Sequence, residues 1–168
     1  MSTERRPLAF DPVAEASRLW AERWDETPRM RAVTSLMRVH QLVLSELDEL
    51  LRPLGLTFAR YEVLVLLSFS RRGSLPLGRI GERLQVHATS VTPLVKRLEA
   101  AELLRRTPHP EDGRAVLASI TAKGRAVMEQ ATELIVGAQF GLGSLSEEQC
   151  DQLSTLFTTP RAAAGDFS

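Results

Sequence analysis

Apolar side chains recur along this chain at spacings of three and four, interrupted by short turn-rich intervals, and the pattern predicts a succession of helices. Asp11-Pro12 is a helix start, with Asp as N-cap and Pro in the first turn. From there to about residue 24, Val13, Ala16, Trp20 and Trp24 fall on one stripe, and Thr27-Pro28 is expected to break the helix. A longer helix is expected over 29–51, with Val33, Leu36, Met37, His40, Val43, Leu44, Leu47 and Leu51 on its apolar face, ended by Pro53 and Gly55. Thr57 should cap a third helix, 58–69, whose Val63, Leu64, Leu66 and Leu67 leave it almost no polar face, so it is expected to be central.

Arg71 to Ser74 reads as a turn. A short helix over 77–84 turns Leu77, Ile80 and Leu84 inward, Gln85-Val86-His87 is a tight connection, and a helix over 88–101 turns Val91, Leu94, Val95 and Leu98 inward. Leu103–Thr107 and Ala115–Ile120 read as two strands joined by a turn-rich tip, Pro108 to Arg114. Thr121 should cap a helix over 122–142. Ser146-Glu147-Glu148-Gln149 is a capping box, with Leu145 and Cys150 as its hydrophobic staple, for a last helix that runs to Pro160 before a frayed tail. The fold class is mainly α with a small two-stranded β-wing. Three separated helices carry apolar faces that one small lobe could not cover, so a helical dimerisation region is expected beside the winged lobe.

Composition narrows the function. No apolar run approaches the roughly 18 residues of a membrane span, and the basic N-terminus lacks the apolar stretch of a secretory signal. The single cysteine, Cys150, cannot form an internal disulfide, so a cytoplasmic protein is expected. It reads as a small apolar residue. Lys and Arg balance Asp and Glu at 21 each, but residues 71–125 hold eleven of the former and five of the latter, so a neutral chain carries one basic third. That distribution suits a polyanion, although an ordinary solvated surface has the same charges. No Gly-rich phosphate loop, catalytic triad or paired carboxylates stand at a useful spacing, and His40, His87 and His109 fall in different elements. An enzyme, a metal site and a cofactor are therefore not expected.

Helix, tight turn, helix and basic hairpin, in that order, form a winged helix-turn-helix over 57–121. Its second helix would enter a major groove, where every base pair offers a distinct pattern of donors and acceptors. Thr89, Ser90 and Thr92 supply short polar groups, Pro93 an apolar edge, and Lys96 and Arg97 cations for phosphate or guanine. Arg106 and His109 lie on the hairpin. At its tip Arg114, held by Asp112, can enter a narrow minor groove. Alone, Asp112-Gly113-Arg114 would be a surface turn with a local ion pair; the helix pair upstream favours the groove.

The stretch LPLGRIGERLQVHATSVTPLVKRLEAAELLRRTPHPEDGRAVLASITAKG resembles the multiple-antibiotic-resistance regulator (MarR) family. First motif helix, recognition helix ending in Arg-Leu-Glu, Asp-x-Arg wing and the Thr-x-x-Gly start of the next helix follow in the family's order, and the likeness extends over about residues 30 to 158. Glu102 stands where the family usually has glycine, and Gly113 where a second arginine is common. The resemblance implies a homodimer that binds double-stranded DNA at a palindrome, with 27–56 and 122–160 as its dimerisation region. A peroxide-sensing member would carry its cysteine on the first core helix, which this chain does not. The extra helix, 12–26, resembles the branch that answers urate and similar organic anions. On that comparison Trp20, Glu62 and Arg97 would meet an anionic effector, with Arg38, His40 and Arg60 as further lining. The alternative is that Trp20 and Trp24 pack against the dimer core and that His40 is a hydrogen-bonded core residue. An effector-independent architectural DNA-binding protein is the rival function.

Overall fold

A computed structural model describes residues 8–85, 87–109 and 115–167, with Ala88 and Thr89 described by their backbone alone. The chain forms two compact units, Met1–Ser45 and Glu46–Ser168. In the first, α1 spans Pro12–Ala21, with the Asp11 carboxylate accepting from the Val13 N–H at 2.9 Å. The helix is shorter than the apolar stripe predicts. Beyond it the Arg23 and Trp24 N–H groups both donate to the Trp20 carbonyl, and the Trp20 indole donates to the Asp25 carbonyl at 2.8 Å. The two tryptophans still meet, their ring centroids 4.8 Å apart, but through a turn rather than a helical stripe. Nor does Thr27-Pro28 break anything. It opens α2, Thr27–Leu51, because a proline without an N–H is harmless in a first turn. Glu26, in the left-handed region at φ 59°, accepts the Met30 N–H.

The second unit is built around α3, Phe58–Phe69, whose Tyr61, Val63, Leu64 and Leu67 are buried. Thr57 is its N-cap residue, but its side chain accepts no backbone N–H. Asp48 does that work, its carboxylate accepting the Phe58 N–H at 2.7 Å. Three-residue β1, Ser74–Pro76, went unpredicted; it leads directly into α4, Leu77–Leu84. Recognition-type helix α5 is Ala88–Ala100, and the hairpin strands are β2, Leu104–Pro108, and β3, Val116–Ile120. The sheet is thus three-stranded and antiparallel in the order β1-β3-β2, with Ser74 opposite Ser119 and Leu104 opposite Ile120. The core joins Val91, Val95 and Leu98 of α5 to Ile80, Leu104, Ala118 and α3, all essentially inaccessible.

After the hairpin, α6 is Ala122–Gly137 and α7 is Glu147–Ala163. The helix expected to reach 142 stops at Gly137, because Gln139, Phe140 and Gly141 all take positive φ and wind a separate short turn. The capping box at Ser146 and Gln149 forms as predicted. α7 continues through Pro160: in the exposed last turn, water can take the carbonyl that the missing N–H leaves free. The tail, expected to fray, is held by contacts as far as Phe167. Arg161 pairs with Asp166 at 2.6 Å, its guanidinium lies 5.2 Å from the Phe167 ring, and Gln85 donates to the Asp166 carbonyl at 3.0 Å. No described helix is long and apolar enough to cross a membrane.

Candidate DNA-binding site

α4 ends in Gln85, left-handed at φ 54°, whose N–H returns to the Gly81 carbonyl. That reversal ends α4 and starts the tight connection to α5. α5 then buries Val91, Val95 and Leu98 and leaves Ser90, Thr92, Pro93, Lys96 and Arg97 exposed. Spacings of three and four put those five on one side of the helix, so the sequence-predicted contact residues are brought together. The backbone stays helical through Pro93. The Thr89 side chain, Asp112 and Arg114 lie outside the described residues. His109, half-buried, begins the tip, its backbone N–H donating to the Ala115 carbonyl at 3.0 Å.

The hairpin is attached to α5 by a residue that sequence reading passed over. Glu99 takes the Arg106 Nε at 2.6 Å and its backbone N–H at 3.2 Å. The guanidinium beside it holds the Glu99 carboxyl below the usual carboxylate range, chiefly through the side-chain hydrogen bond. Arg106, expected to face DNA, thus turns its charge toward α5. Among the described residues, Glu99 is the side chain of α5 that bonds the hairpin. A signal was present in the sequence: an acidic residue beside buried Leu98, seven residues before an arginine on a neighbouring strand.

The base of the hairpin is fixed as tightly. α5 closes with the Glu102 N–H donating to the Glu99 carbonyl and the Leu103 N–H to the Leu98 carbonyl, a Schellman arrangement that sets Glu102 in the left-handed region at φ 61°. Lys123 steadies it by reaching the Ala101 carbonyl and the Glu102 carboxylate. Thr121 donates its hydroxyl to the Glu102 carbonyl at 2.8 Å and accepts the Gly124 N–H at 2.9 Å. A Cβ at Gly124 would collide with the Leu103 carbonyl oxygen, so the Thr-x-x-Gly spacing records a close approach of α6 to the hairpin base.

The six residues expected to meet an effector divide between the units. Trp20, Arg38 and His40 belong to the first, where Trp20 is half-buried and the other two are exposed. Arg60, Glu62 and Arg97 belong to the second. The Arg60 guanidinium is used locally, donating to the Gly55 carbonyl at 2.8 Å and the Thr57 hydroxyl at 3.2 Å. Glu62 is half-buried, and burial raises its carboxyl above the ordinary value.

The MarR family signature matches residues 56–116, from the residue before Thr57 to the start of β3. The organic hydroperoxide resistance transcriptional regulator of Bacillus subtilis (strain 168) is 36% identical over 110 residues, covering 65% of this chain and 73% of that protein. Sco5413, a MarR family transcriptional regulator from Streptomyces coelicolor, has a crystal structure that is 50% identical, with a TM-score of 0.79 over 84% of this chain and 98% of its own. A mutant MarR from E. coli, crystallised in complex with operator DNA, is 25% identical, with a TM-score of 0.69 over 81% of this chain and 98% of its own. The helix-turn-helix, its fastened wing and relatives this similar over most of their own length lead to one assignment: the chain belongs to the MarR family of transcriptional regulators.

Proposed function

We propose that the protein is a homodimeric repressor that occupies a palindromic operator and leaves it when a small organic anion binds. The observation that carries the DNA reading is the exposed row Ser90, Thr92, Pro93, Lys96 and Arg97 on a helix whose opposite side is buried. Hydroxyls near the N-terminus and cations further along suit base edges and phosphates of a major groove. Arg114, with Asp112 beside it in sequence, serves the adjacent minor groove from the wing tip. A dimer seated on a promoter denies it to polymerase, which makes repression the simplest outcome.

Dimerisation is assigned to 27–56 and 122–160, and DNA binding to 57–121. Its support is apolar surface left in the open: Val33, Leu36, Met37, Val39 and Leu42 on α2, Leu134 and Val136 on α6, and Leu156 and Phe157 on α7 are all exposed in the single chain. Patches of this kind mark subunit interfaces. The N-terminal segment, 12–26, is the effector-sensing element, with Trp20, Arg38, His40, Arg60, Glu62 and Arg97 as the candidate set in the manner of the urate-responsive branch. The compartment is the cytoplasm.

Light scattering on the free protein and footprinting on the DNA beside its gene test this reading. A dimer of 18.6 kDa chains protecting one palindrome is expected. A monomer overturns the dimer; uniform protection of all DNA identifies the architectural alternative instead. Removing residues 1–26 should keep operator binding and abolish the effector response.

A further inference from the structure

The second unit holds an open cleft of about 390 Å³ lined by Phe69, Ser70, Arg71, Arg72, Ser74, Leu75 and Arg83. Its three arginines come from two places, the turn after α3 and the last turn of α4, and all are exposed. Among the described residues every ion pair involves other side chains. Three unneutralised guanidiniums around one cleft repel each other, and an anion relieves that repulsion. A fourth, Arg125 on α6, lies over Gly73, where a Cβ would collide with it. Phe69 offers its ring at 81% exposure on the cleft, an unusual place for a phenylalanine and a flat partner for a flat ligand. The volume suits a small molecule.

The cleft lies at the base of the hairpin, away from the wing tip, and shares no residue with the exposed row of α5. Gly73, next to Arg72, bonds the Ile120 N–H at the base of β3, and the tip begins beyond Val116 at the other end, about 13 Å away at 3.3 Å per residue. None of its residues belongs to the effector set around Trp20.

We propose that this cleft binds a small organic dianion with a flat apolar body, its acidic groups held by Arg71, Arg72 and Arg83 and its body laid against Phe69. Arg83 stands two residues before Gln85, the turn of the helix-turn-helix. A ligand spanning Arg83 and the Arg71-Arg72 turn therefore ties the motif to the end of α3 and alters operator affinity.

Calorimetric titration of the full-length protein with phthalate, succinate and benzoate tests this without DNA. Phthalate, with both two carboxylates and a ring, should bind at least about tenfold tighter than either of the others. Arg83→Gln and Arg72→Gln should each weaken it by about tenfold or more, and Phe69→Ser should remove the preference for phthalate over succinate. Arg29→Gln, exposed and outside both candidate sets, should leave phthalate binding unchanged, and because the titration contains no DNA its failure is read separately from failure of the effector reading above. No phthalate binding at millimolar concentration, equal binding by all variants, or loss of operator affinity with a flatter salt slope and no phthalate binding would each overturn the proposal. The last outcome would make the arginines phosphate contacts.

Discussion

Glu99 on α5 and Arg106 on β2 are joined by a charged pair at 2.5 Å and by a second bond from the Arg106 backbone N–H. The pair ties the hairpin to the helix proposed to read a major groove. Both side chains remain about one-third exposed, 34% and 33%, so the pair contributes little to global stability. Its effect should appear in DNA binding. Glu99→Gln is expected to weaken operator affinity by about two- to fivefold while leaving the melting temperature almost unchanged. A double-mutant cycle with Arg106→Gln should show the two losses to be non-additive. Because Arg106 holds the Glu99 carboxyl low, the pair is intact above the ordinary carboxylate pKa and is lost as pH falls through the lowered value. Fully additive losses would show that Arg106 contacts DNA directly.

Gly124 allows α6 to start against the hairpin base. A methyl group there would strike the Leu103 carbonyl oxygen and come within 3.0 Å of Ile120 Cγ1. The obstacle is backbone, which cannot rotate away. Gly124→Ala should cost about 2–3 kcal/mol, lowering the thermal midpoint by ~5–10 °C. Calorimetry is the measurement, and a change within a degree would mean that α6 can slide.

Glu102 presents the opposite case. It occupies a left-handed position that costs a non-glycine residue about 1–2 kcal/mol, offset in part by the exposed bond to Lys123 at 3.1 Å. Glu102→Gly removes the backbone strain and loses a weak ion pair, so a net gain of about 0.5–1 kcal/mol is expected. Urea denaturation should show a raised midpoint at unchanged slope. A fall would mean that the Lys123 bridge outweighs the strain.

The elements were legible where an apolar period met a matching cap. α3 and α4 lie where the pattern puts them, as does the Ser146 capping box, because local chemistry and burial agree there. The errors fall where one residue supports two outcomes. Pro28 and Pro160 read as breaks, yet a proline in a first turn or an exposed last turn costs little. β1 is three residues long and ends in proline; only its pairing with β3 makes it a strand, and that partner lies more than forty residues away. Glu99 escaped notice for the same reason, since its role exists only once β2 folds back beside α5. The recognition helix needed no such partner: its buried and exposed residues alternate at the helical period, so the candidate contacts of α5 were readable from the sequence.

Glu62 stands half-buried on α3, and no cation among the described residues pairs with it. Burial alone raises its carboxyl above the ordinary value. A raised folded pKa means that the folded protein binds the proton more tightly than the unfolded chain. The associated stability is therefore fully present below the ordinary carboxylate pKa and is lost as pH rises through the raised value. Glu62→Gln removes the charge while keeping the shape. It should leave stability unchanged near pH 4 and raise it at pH 7 and above, so the gap between the two urea midpoints opens as pH rises. The proposed effector sharpens the measurement. An anion bound beside Glu62 would favour its protonated form further, so effector affinity should fall with rising pH in the wild type and become flat in Glu62→Gln. If the variant is instead less stable at neutral pH, the carboxylate has a stabilising cation in the dimer, and Glu62 holds a subunit or a helix in place rather than facing an effector.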